Sequence, residues 1–509
     1  MSTTEEPGRY GGWQAERMGV IGNLSGPGFA LLAAAAVISL APIYQRSWSA
    51  LLISLPLSGL FLLLAYGRVL GLSADEWLLL AVRHQISVAK KQNLFLSGVF
   101  APTNPKTGEQ PMDLPGVLAR LRILDASDGL GGQIGVVHDP TAQTYTAIAR
   151  VSYPGLALID TDRQNSRVAG WAAFLRSLCK EDSPITRLSV HQRSLPDDGA
   201  ALQDFMARHT APEAPVAAVE SLGELMQSAG PVATARETYL AISLSASRAR
   251  LAIKGAGGGQ IGAAAVLVRE LHAMQGSMNS AVLQIQEWLT PRKVAQTIRT
   301  AYDPHSQLEF AARNAAAQDA GWQGSDPGVE TALAGPAAAE TGWGVYRHDG
   351  AYTVSYQVRV WPQSDVYATW MQPLLRPRHN ARRSLSFVVE PIGPSAARRE
   401  LAKKRTQRQT ARKVRAKSGR TASADEMFAE SQAQQQDMAR AAGHGVIRFT
   451  GLLAVTVTDY EQLETACAEL QADASAAGIS VRRMWGAMDA GFAASALPLA
   501  IGLPDRRLF

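Results

Sequence analysis

The chain has 509 residues, enough for two or three domains, and its two cysteines, Cys179 and Cys467, exclude a disulfide framework and suit a reducing cytosol. Its formal net charge of +6 comes from one segment, because residues 398–420 carry eleven Lys or Arg against one Glu, a local +10 that leaves −4 for the rest. This distribution excludes a generally basic surface and places any site for an acidic partner in that segment.

Two long apolar runs stand back to back near the start of the chain. Residues 1–28 are a polar, Gly-rich lead-in, and residues 29–68 hold both runs. The run Ser47–Tyr66 supplies the roughly 20 apolar residues that a ~30 Å hydrocarbon core requires, whereas the first run does so only if it starts near Gly22–Leu24. We therefore predict a transmembrane helical hairpin. The alternative is a buried hairpin in a soluble domain, but soluble helices of this length usually carry charge on one face.

Basic residues flank the predicted hairpin unevenly. Only Arg46 lies in its turn, whereas Arg17 precedes it and Arg68 and Arg83 follow it. Since basic residues concentrate on the cytoplasmic side of a membrane, the sequence predicts a plasma-membrane protein with two transmembrane helices and both termini in the cytoplasm.

A juxtamembrane helix and a loop are predicted over 69–112. Residues 73–76, Ser-Ala-Asp-Glu, have the form of a capping box that starts a helix. Trp77 lies at the beginning of this helix, and Lys90 and Lys91 lie at its end. Two interpretations remain open: a helix on the membrane surface, or an ordinary amphipathic helix of the domain that follows.

Alternating strand and helix patterns make 113–313 a first cytosolic α+β domain. The predicted strands are Ile134–His138, Thr144–Tyr153, Ile185–Gln192 and Glu237–Leu244, and the predicted helices are Arg163–Leu178, Pro215–Ala229, Ala263–His272 and Pro291–Tyr302. An Ala- and Gly-rich linker is predicted over 314–345.

A second cytosolic α+β domain is predicted over 346–509. Its elements are the strands Tyr352–Trp361 and Ser384–Glu390, a charged helical pair over 395–442, the strand Leu452–Val457, a helix ended by Gly478, and the return strand Ile479–Met484. The last three elements predict a ferredoxin-like or related split βαβ unit. The predicted fold class is thus α+β, with a transmembrane hairpin followed by two mixed α/β domains, the last ferredoxin-like.

The chain contains no motif for nucleotide hydrolysis. A P-loop requires G-x-x-x-x-G-K-[ST], but the Lys-Thr and Lys-Ser pairs that occur here follow Pro and Ala. Gly257, Gly259 and Gly262 do spell G-x-G-x-x-G, yet the pattern before them is helical rather than that of a strand. A flexible loop is therefore favoured over a dinucleotide site.

The nine histidines show no metal-ligand spacing. His191 and His348 lie near strands, and Asp197 and Asp349 are close to them in sequence. Lone histidines in this setting are more often structural than catalytic. The sequence therefore predicts a protein that is not an enzyme, with no catalytic, cofactor-binding or metal-binding residues and no cofactor.

Lys404, Arg408, Arg412 and Arg415 fall on one face of a helix predicted in the basic segment. This stripe is predicted to contact an acidic protein or the membrane surface. Nucleic acid is a weaker candidate, because no aromatic residues that could stack on bases are interleaved with the basic ones. The remaining alternative is a solvated helix face without a partner.

Short motifs recur in a fixed order along nearly the whole chain. They are Tyr10-Gly11-Gly12-Trp13, Asp113-Leu114-Pro115-Gly116, Ser194-Leu195-Pro196-Asp197-Asp198-Gly199, Tyr346-Arg347-His348-Asp349 and Phe492-Ala493-Ala494-Ser495-Ala496-Leu497-Pro498-Leu499. Together with the early hairpin, they resemble a family of actinobacterial membrane proteins classed with EccE of type VII secretion. The branch that is most similar occurs in conjugation clusters beside type IV-like secretion ATPases. The resemblance implies no catalytic residue, because the family offers none.

The C-terminal part carries a second resemblance. Ser384–Glu390, the charged helices, the strand Leu452–Val457 and Met484-Trp485-Gly486 together look like the non-catalytic N-terminal domain of VirB4-type secretion ATPases, here without a motor domain. The resemblance implies that a separate ATPase supplies the energy.

Two functional hypotheses follow. The first is a membrane-anchored structural component of an actinobacterial secretion or conjugative transfer complex. It would form homo-oligomers in the lipid bilayer and dock a VirB4- or FtsK-like ATPase. The alternative is a membrane-tethered nucleic-acid-binding protein that acts through the basic helix 398–420.

Overall fold

The computed structural model describes residues 10, 26–44, 48–69, 72–98, 113–155, 159–196, 206, 209–211, 213–229, 234–320, 328–376, 378, 381–403, 406 and 445–502. In these residues the helices are α1 (Gly26–Tyr44), α2 (Trp48–Tyr66), α3 (Ala74–Ala89), α4 (Thr161–Leu178), α5 (Val216–Ala229), α6 (Arg250–Gly255), α7 (Gly259–Ser280), α8 (Pro291–Tyr302), α9 (Ser306–Asp319), α10 (Gln372–Leu375), α11 (394–403), α12 (Leu463–Ala476) and α13 (Met488–Ser495).

The apolar helices α1 and α2 pack against each other as a hairpin, but both are short. Among the helices within the described residues, none has the length and apolar character needed to cross a membrane. The first begins at Gly26 rather than near Gly22–Leu24, and each has 19 residues with a Pro inside. At 1.5 Å per residue this is about 28 Å, less than the ~30 Å hydrocarbon core. The predicted transmembrane hairpin is therefore wrong, and with it the prediction of a two-span plasma-membrane protein with cytoplasmic termini.

One large antiparallel sheet dominates the fold, which is mixed α/β. The strands are β1 (Arg68–Val69), β2 (Leu72–Ser73), β3 (Leu94–Leu96), β4 (Arg122–Ser127), β5 (Gln133–Asp139), β6 (Thr144–Ser152), β7 (Ile185–Pro196), β8 (Thr234–Ser245), β9 (Gln284–Trp288), β10 (Ala338–Thr341), β11 (Tyr346–His348), β12 (Ala351–Val360), β13 (Arg382–Ile392), β14 (Val446–Val457) and β15 (Ser480–Arg483). The 13-stranded sheet has the order β3-β10-β11-β12-β14-β13-β7-β8-β6-β5-β4, with β15 also beside β12 and β9 also beside β6. β1 and β2 form a separate pair.

The sheet contains two units with the same connectivity. In the first unit, residues 133–302, four strands lie in the order β9-β6-β8-β7. In the second unit, residues 346–495, four strands lie in the order β15-β12-β14-β13. Counted along each unit, both orders read fourth, first, third, second, which is the order of a ferredoxin-like split βαβ unit. A hairpin strand, β5 or β11, precedes each set, and a helix, α8 or α13, follows it.

Local two-fold symmetry relates the two units at the seam, where β7 pairs with β13. Val190 and Phe387 face each other near the centre of this antiparallel ladder. Counted from that pair, Leu188-Ser189 on β7 and Leu385-Ser386 on β13 occupy the same positions. The hydroxyls of Ser189 and Ser386 lie 3.2 Å apart across the seam. Both the sequence and the pairing therefore repeat about this axis.

An ion pair recurs at equivalent positions of the two units with its charges exchanged. Arg193 lies three residues beyond the seam centre on β7 and pairs with Glu237 on β8 at 2.6 Å. Glu390 lies three residues beyond the centre on β13 and pairs with Arg448 on β14, also at 2.6 Å. Register shifts also interrupt both the β6–β9 and the β12–β15 ladders. We conclude that the fold is an internal structural repeat.

Helices cover both faces of the sheet in the same arrangement in the two units. α4 and α7 pack on one face of the first unit, and α10 and α12 pack on the same face of the second. α8 and α13 lie on the opposite face and meet at Tyr302 and Phe492, whose ring centroids are 4.7 Å apart. The helix that ends each unit is thus part of one shared core.

Local sequence explains where these helices begin and end. Thr290 precedes α8 and accepts the N–H of Lys293 at 3.4 Å, while Pro291 is the first helical residue, where its missing N–H costs nothing. Gly478 follows α12 with φ +72°, a left-handed conformation that glycine adopts without strain. The return strand β15 can therefore begin at once.

Candidate assembly surface

The hairpin α1–α2 exposes a large apolar surface. Neither helix contains a charged residue. The residues between 63% and 92% exposed are Val37, Leu40, Tyr44, Trp48, Leu52, Ile53, Leu63 and Tyr66, and we call them the hairpin surface. The buried positions are small, with Ala35, Ser54, Ser58 and Ala65. Since monomeric proteins rarely expose contiguous apolar patches above a few hundred Å², the hairpin surface has the character of a protein–protein interface.

A second apolar strip lies on α3. Leu79, Val82 and Ile86 are spaced by three and four residues, so they lie on one helical face, and all three are exposed. α3 follows the hairpin through the β1–β2 turn, where the N–H of Ala74 donates to the carbonyl of Gly67 at 2.9 Å. The strip therefore lies on the helix that follows the hairpin directly in sequence.

Trp343 fastens α3 to the second unit. The rings of Trp77 and His84 on α3 meet the ring of Trp343 edge-on, with centroids 5.9 and 5.5 Å away. Trp343 in turn stacks on Trp485 at 6.5 Å, and the guanidinium of Arg483 lies 4.7 Å from the centre of the Trp485 ring. Of the two interpretations of this helix, these contacts favour an amphipathic helix that packs on the domain.

Side chains from both units bind main-chain oxygens of α8 at the seam. Arg193 of β7, Arg382 of β13 and His348 of β11 donate to the carbonyls of Thr297, Thr300 and Tyr302, respectively. All three are buried. Because the C-terminal half of a helix carries partial negative charge, cationic donors are favourable there. α8 is thus held by strands of the two units at once.

The two histidines singled out from the sequence are buried at this seam. Burial and, less strongly, Arg382 lower the pKa of His348 to about 4. Its Nδ1–H points to the Tyr302 carbonyl, so Nε2 accepts from the Thr353 hydroxyl at 2.8 Å. Burial and then Arg193 lower the pKa of His191 to about 3, and neither of its ring nitrogens has a hydrogen-bond partner among the described residues. Both imidazoles are therefore neutral near pH 7.

The carboxylates near these histidines in sequence do not pair with them in the described part of the chain. The carboxylate of Asp349 binds Arg299 at 2.8 Å and accepts the N–H of Ala337. Asp197 lies outside the described residues. A search for three or more His, Cys, Asp or Glu side chains able to hold a metal finds none within those residues.

Acid is expected to destabilise the protein through His348. Its pKa of about 4 in the fold lies below the ordinary value near 6.5, so the unfolded chain binds the proton first as the pH falls. Stability is fully present above pH ~6.5 and is lost between there and pH ~4, by up to ~1.4 kcal/mol per pH unit for this group. Urea unfolding at a series of pH values should show a shallower slope for His348→Gln than for the wild type; equal slopes would contradict the assignment.

The basic stripe predicted from the sequence cannot be placed. Lys404, Arg408, Arg412 and Arg415 lie outside the described residues, so their contact with an acidic partner stays a prediction. At the start of the basic segment, Glu400 binds Arg448 of β14 at 3.0 Å. The described part of α11 is thus tied to the sheet.

The glycine motif forms the turn between α6 and α7, and a helix rather than a strand precedes it. Gly257 and Gly259 have φ of +99° and +59°. A Cβ on Gly262 would lie 2.6 Å from the carbonyl oxygen of Ile253 on α6. These glycines serve a tight helix–helix turn, which favours the structural interpretation.

Sequence reasoning did not identify Trp343, Arg193 or Arg382 as important. Trp343 stands between two glycines, and an exposed-looking Trp in such a loop is a usable signal for a packing anchor. Arg193 and Arg382 adjoin strand patterns, where a charge indicates either a strand end or a buried ion pair. Sequence alone does not decide between these.

Comparison of the chain with protein-family models and with curated proteins gives no match in either case. The resemblance to the EccE-like family therefore rests on the motifs quoted above.

Proposed function

We propose that this chain is a non-catalytic structural subunit of a secretion or conjugative transfer complex. It binds further copies of itself through the hairpin surface and docks a separate VirB4- or FtsK-like ATPase. The observation that carries this proposal is the uncharged, exposed hairpin surface, which water solvates poorly. The ordered motifs that resemble the EccE-like family support the choice of complex.

A second copy of the chain is the occupant that fits the hairpin surface best. Because α1 and α2 carry no charge, a copy of the same surface can cover them without burying an unpaired ion. Symmetric self-association of one patch is also the commonest route to an oligomer. The ATPase is proposed to contact the basic segment, since its local charge of +10 suits an acidic protein face.

Charge placed on the hairpin surface is expected to prevent self-association. Leu52 and Ile53 are 77% and 73% exposed, so the double variant Leu52→Glu/Ile53→Glu leaves the isolated chain folded but buries two charges in the interface. Sedimentation velocity at matched concentration should show oligomers for the wild type and monomers for the variant.

Leu130→Glu is the matched control. Leu130 is 85% exposed on the loop between β4 and β5, away from the hairpin, and its replacement should leave the oligomer unchanged. The proposal fails if the double variant sediments as the wild type does while circular dichroism shows both to be folded.

A further inference from the structure

The two units differ at one end of the sheet. In the second unit the chain passes from Val457 at the end of β14 through a short turn into α12. There the ring of Tyr460 packs edge-on against Tyr352 of the hairpin, with centroids 5.0 Å apart. In the first unit the extra helix α6 follows β8, and an open cavity of ≈ 570 Å³ lies between it and the β5–β6 hairpin. The space that aromatic rings fill in one unit is thus open in the other.

The cavity is lined by polar and basic groups from two chain segments. The lining residues are His138, Pro140, Gln143 and Tyr145 from the hairpin, and Ala246, Ser247 and Arg250 from the segment that enters α6. The N–H of Ala246 donates to the carbonyl of Gln143 at 2.9 Å, which holds the two segments together. Gln143 has φ +52°, a left-handed conformation that is uncommon for this residue type and is found at functional sites. Its size lies in the range of small-molecule sites.

The groups around the cavity leave cationic and hydrogen-bonding capacity unused. The guanidinium of Arg250 makes no hydrogen bond or ion pair with any described residue. The Nδ1 atom of His138 is buried without a hydrogen-bond partner in the same part of the chain, and the His138 ring stacks on Tyr145 with centroids 4.4 Å apart. The hydroxyl of Ser247 lies 2.9 Å from that of Ser245 and can still donate or accept.

The charge balance at the cavity is positive. Arg122 faces His138 across the β4–β5 ladder, and the segment that enters α6 adds Arg248 and Lys254 besides Arg250. The nearest acid, Asp139, already accepts the backbone N–H groups of its own turn, at 2.8 and 3.1 Å. Burial lowers the pKa of His138, so its imidazole is neutral near pH 7 and able to donate a hydrogen bond to an oxyanion.

We infer that this cavity is a binding site for a small molecule that carries an oxyanion, a phosphate or a carboxylate. Arg250 and Ser247 bind the oxyanion, because a guanidinium and a hydroxyl are the donors that such groups prefer. The stacked rings of His138 and Tyr145 form the wall beside it. The site belongs to the first unit alone and does not depend on the hairpin surface, so the chain combines a ligand site with its assembly role.

Isothermal titration calorimetry of the full chain with inorganic phosphate, and separately with citrate, tests this site. One saturable site per chain is expected for at least one of the two probes, and the probe that binds tells a phosphorylated ligand from a carboxylate. Arg250→Ala should weaken binding at least tenfold, and Ser247→Trp, which fills the cavity without changing charge, should abolish it. Arg347→Ala, on the equivalent hairpin of the second unit, should bind as the wild type does.

Either of two results overturns the inference. One is the absence of saturable binding for both probes. The other is equal affinity in the wild type, Arg250→Ala and Ser247→Trp, which would mean that the anions bind elsewhere.

Discussion

Replacement of Arg193 by alanine is expected to lower the free energy of unfolding by about 3–5 kcal/mol, because it leaves a buried carboxylate without its partner. Arg193 binds Glu237 at 2.6 Å, donates to the Thr297 carbonyl at 3.2 Å and donates to the Tyr239 hydroxyl at 3.3 Å. Burial opposes ionisation of Glu237, but Arg193 and Arg150 outweigh it and lower the pKa of the carboxyl to about 2. Urea unfolding near pH 7 measures the loss.

The repeat supplies a matched control for this variant. Arg448 holds the equivalent ion pair in the second unit, but its side chain is 25% exposed, so Arg448→Ala should cost only about 1 kcal/mol. The double variant Arg193→Met/Glu237→Leu removes both charges and should recover most of the stability. Equal losses for Arg193→Ala and Arg448→Ala would contradict the buried network.

Replacement of Phe492 by alanine is expected to cost about 3–5 kcal/mol, since a fully buried aromatic ring leaves a cavity that the fold cannot close. Phe492 lies on α13 of the second unit. Its ring centroid is 4.7 Å from those of Tyr302 and His348 and 5.2 Å from that of Tyr346. Tyr302 belongs to the first unit, so the loss should lower the melting temperature of the whole molecule in one transition.

Tyr460→Ala is the control for the aromatic core. Tyr460 is 60% exposed and contacts Tyr352 at the rim, so its loss should cost less than about 1 kcal/mol. Two separate thermal transitions in Phe492→Ala would show that the units unfold independently and would contradict a core shared between them.

Strand and helix identity could be predicted from the sequence where the pattern is local, but element ends could not. The strand predicted over Ile185–Gln192 continues to Pro196, because Arg193 finds a buried partner on β8. The helix predicted over Ala263–His272 continues to Ser280 because Met274 and Met278 are buried beyond its predicted end. Charged and small residues indicate an end in sequence, whereas tertiary contacts decide it.

The apolar character of α1 and α2 was correctly predicted, and their role was not. Composition gave an uncharged pair of helices, but the length of each helix depends on where it begins and ends. The first run needed a start near Gly22–Leu24, and α1 begins at Gly26. A difference of a few residues thus decided the prediction against a membrane span.

The seam and the cavity left no local signal in the sequence. β7 pairs with β13 through residues nearly two hundred positions apart, such as Ser189 and Ser386, and pairing at that range has no sequence period. The cavity likewise joins His138 on one hairpin to Arg250 on a later helix. The internal repeat became visible only once the register of both units was known.

The mass of the native assembly tests the central proposal most directly. The full chain, isolated at its natural abundance from the cells that produce it, should sediment in a complex several times larger than its own 54.4 kDa, with more than one copy of the chain and an ATPase of the VirB4 or FtsK type. A single species of 54.4 kDa at every concentration, without a bound partner, would contradict the proposed role.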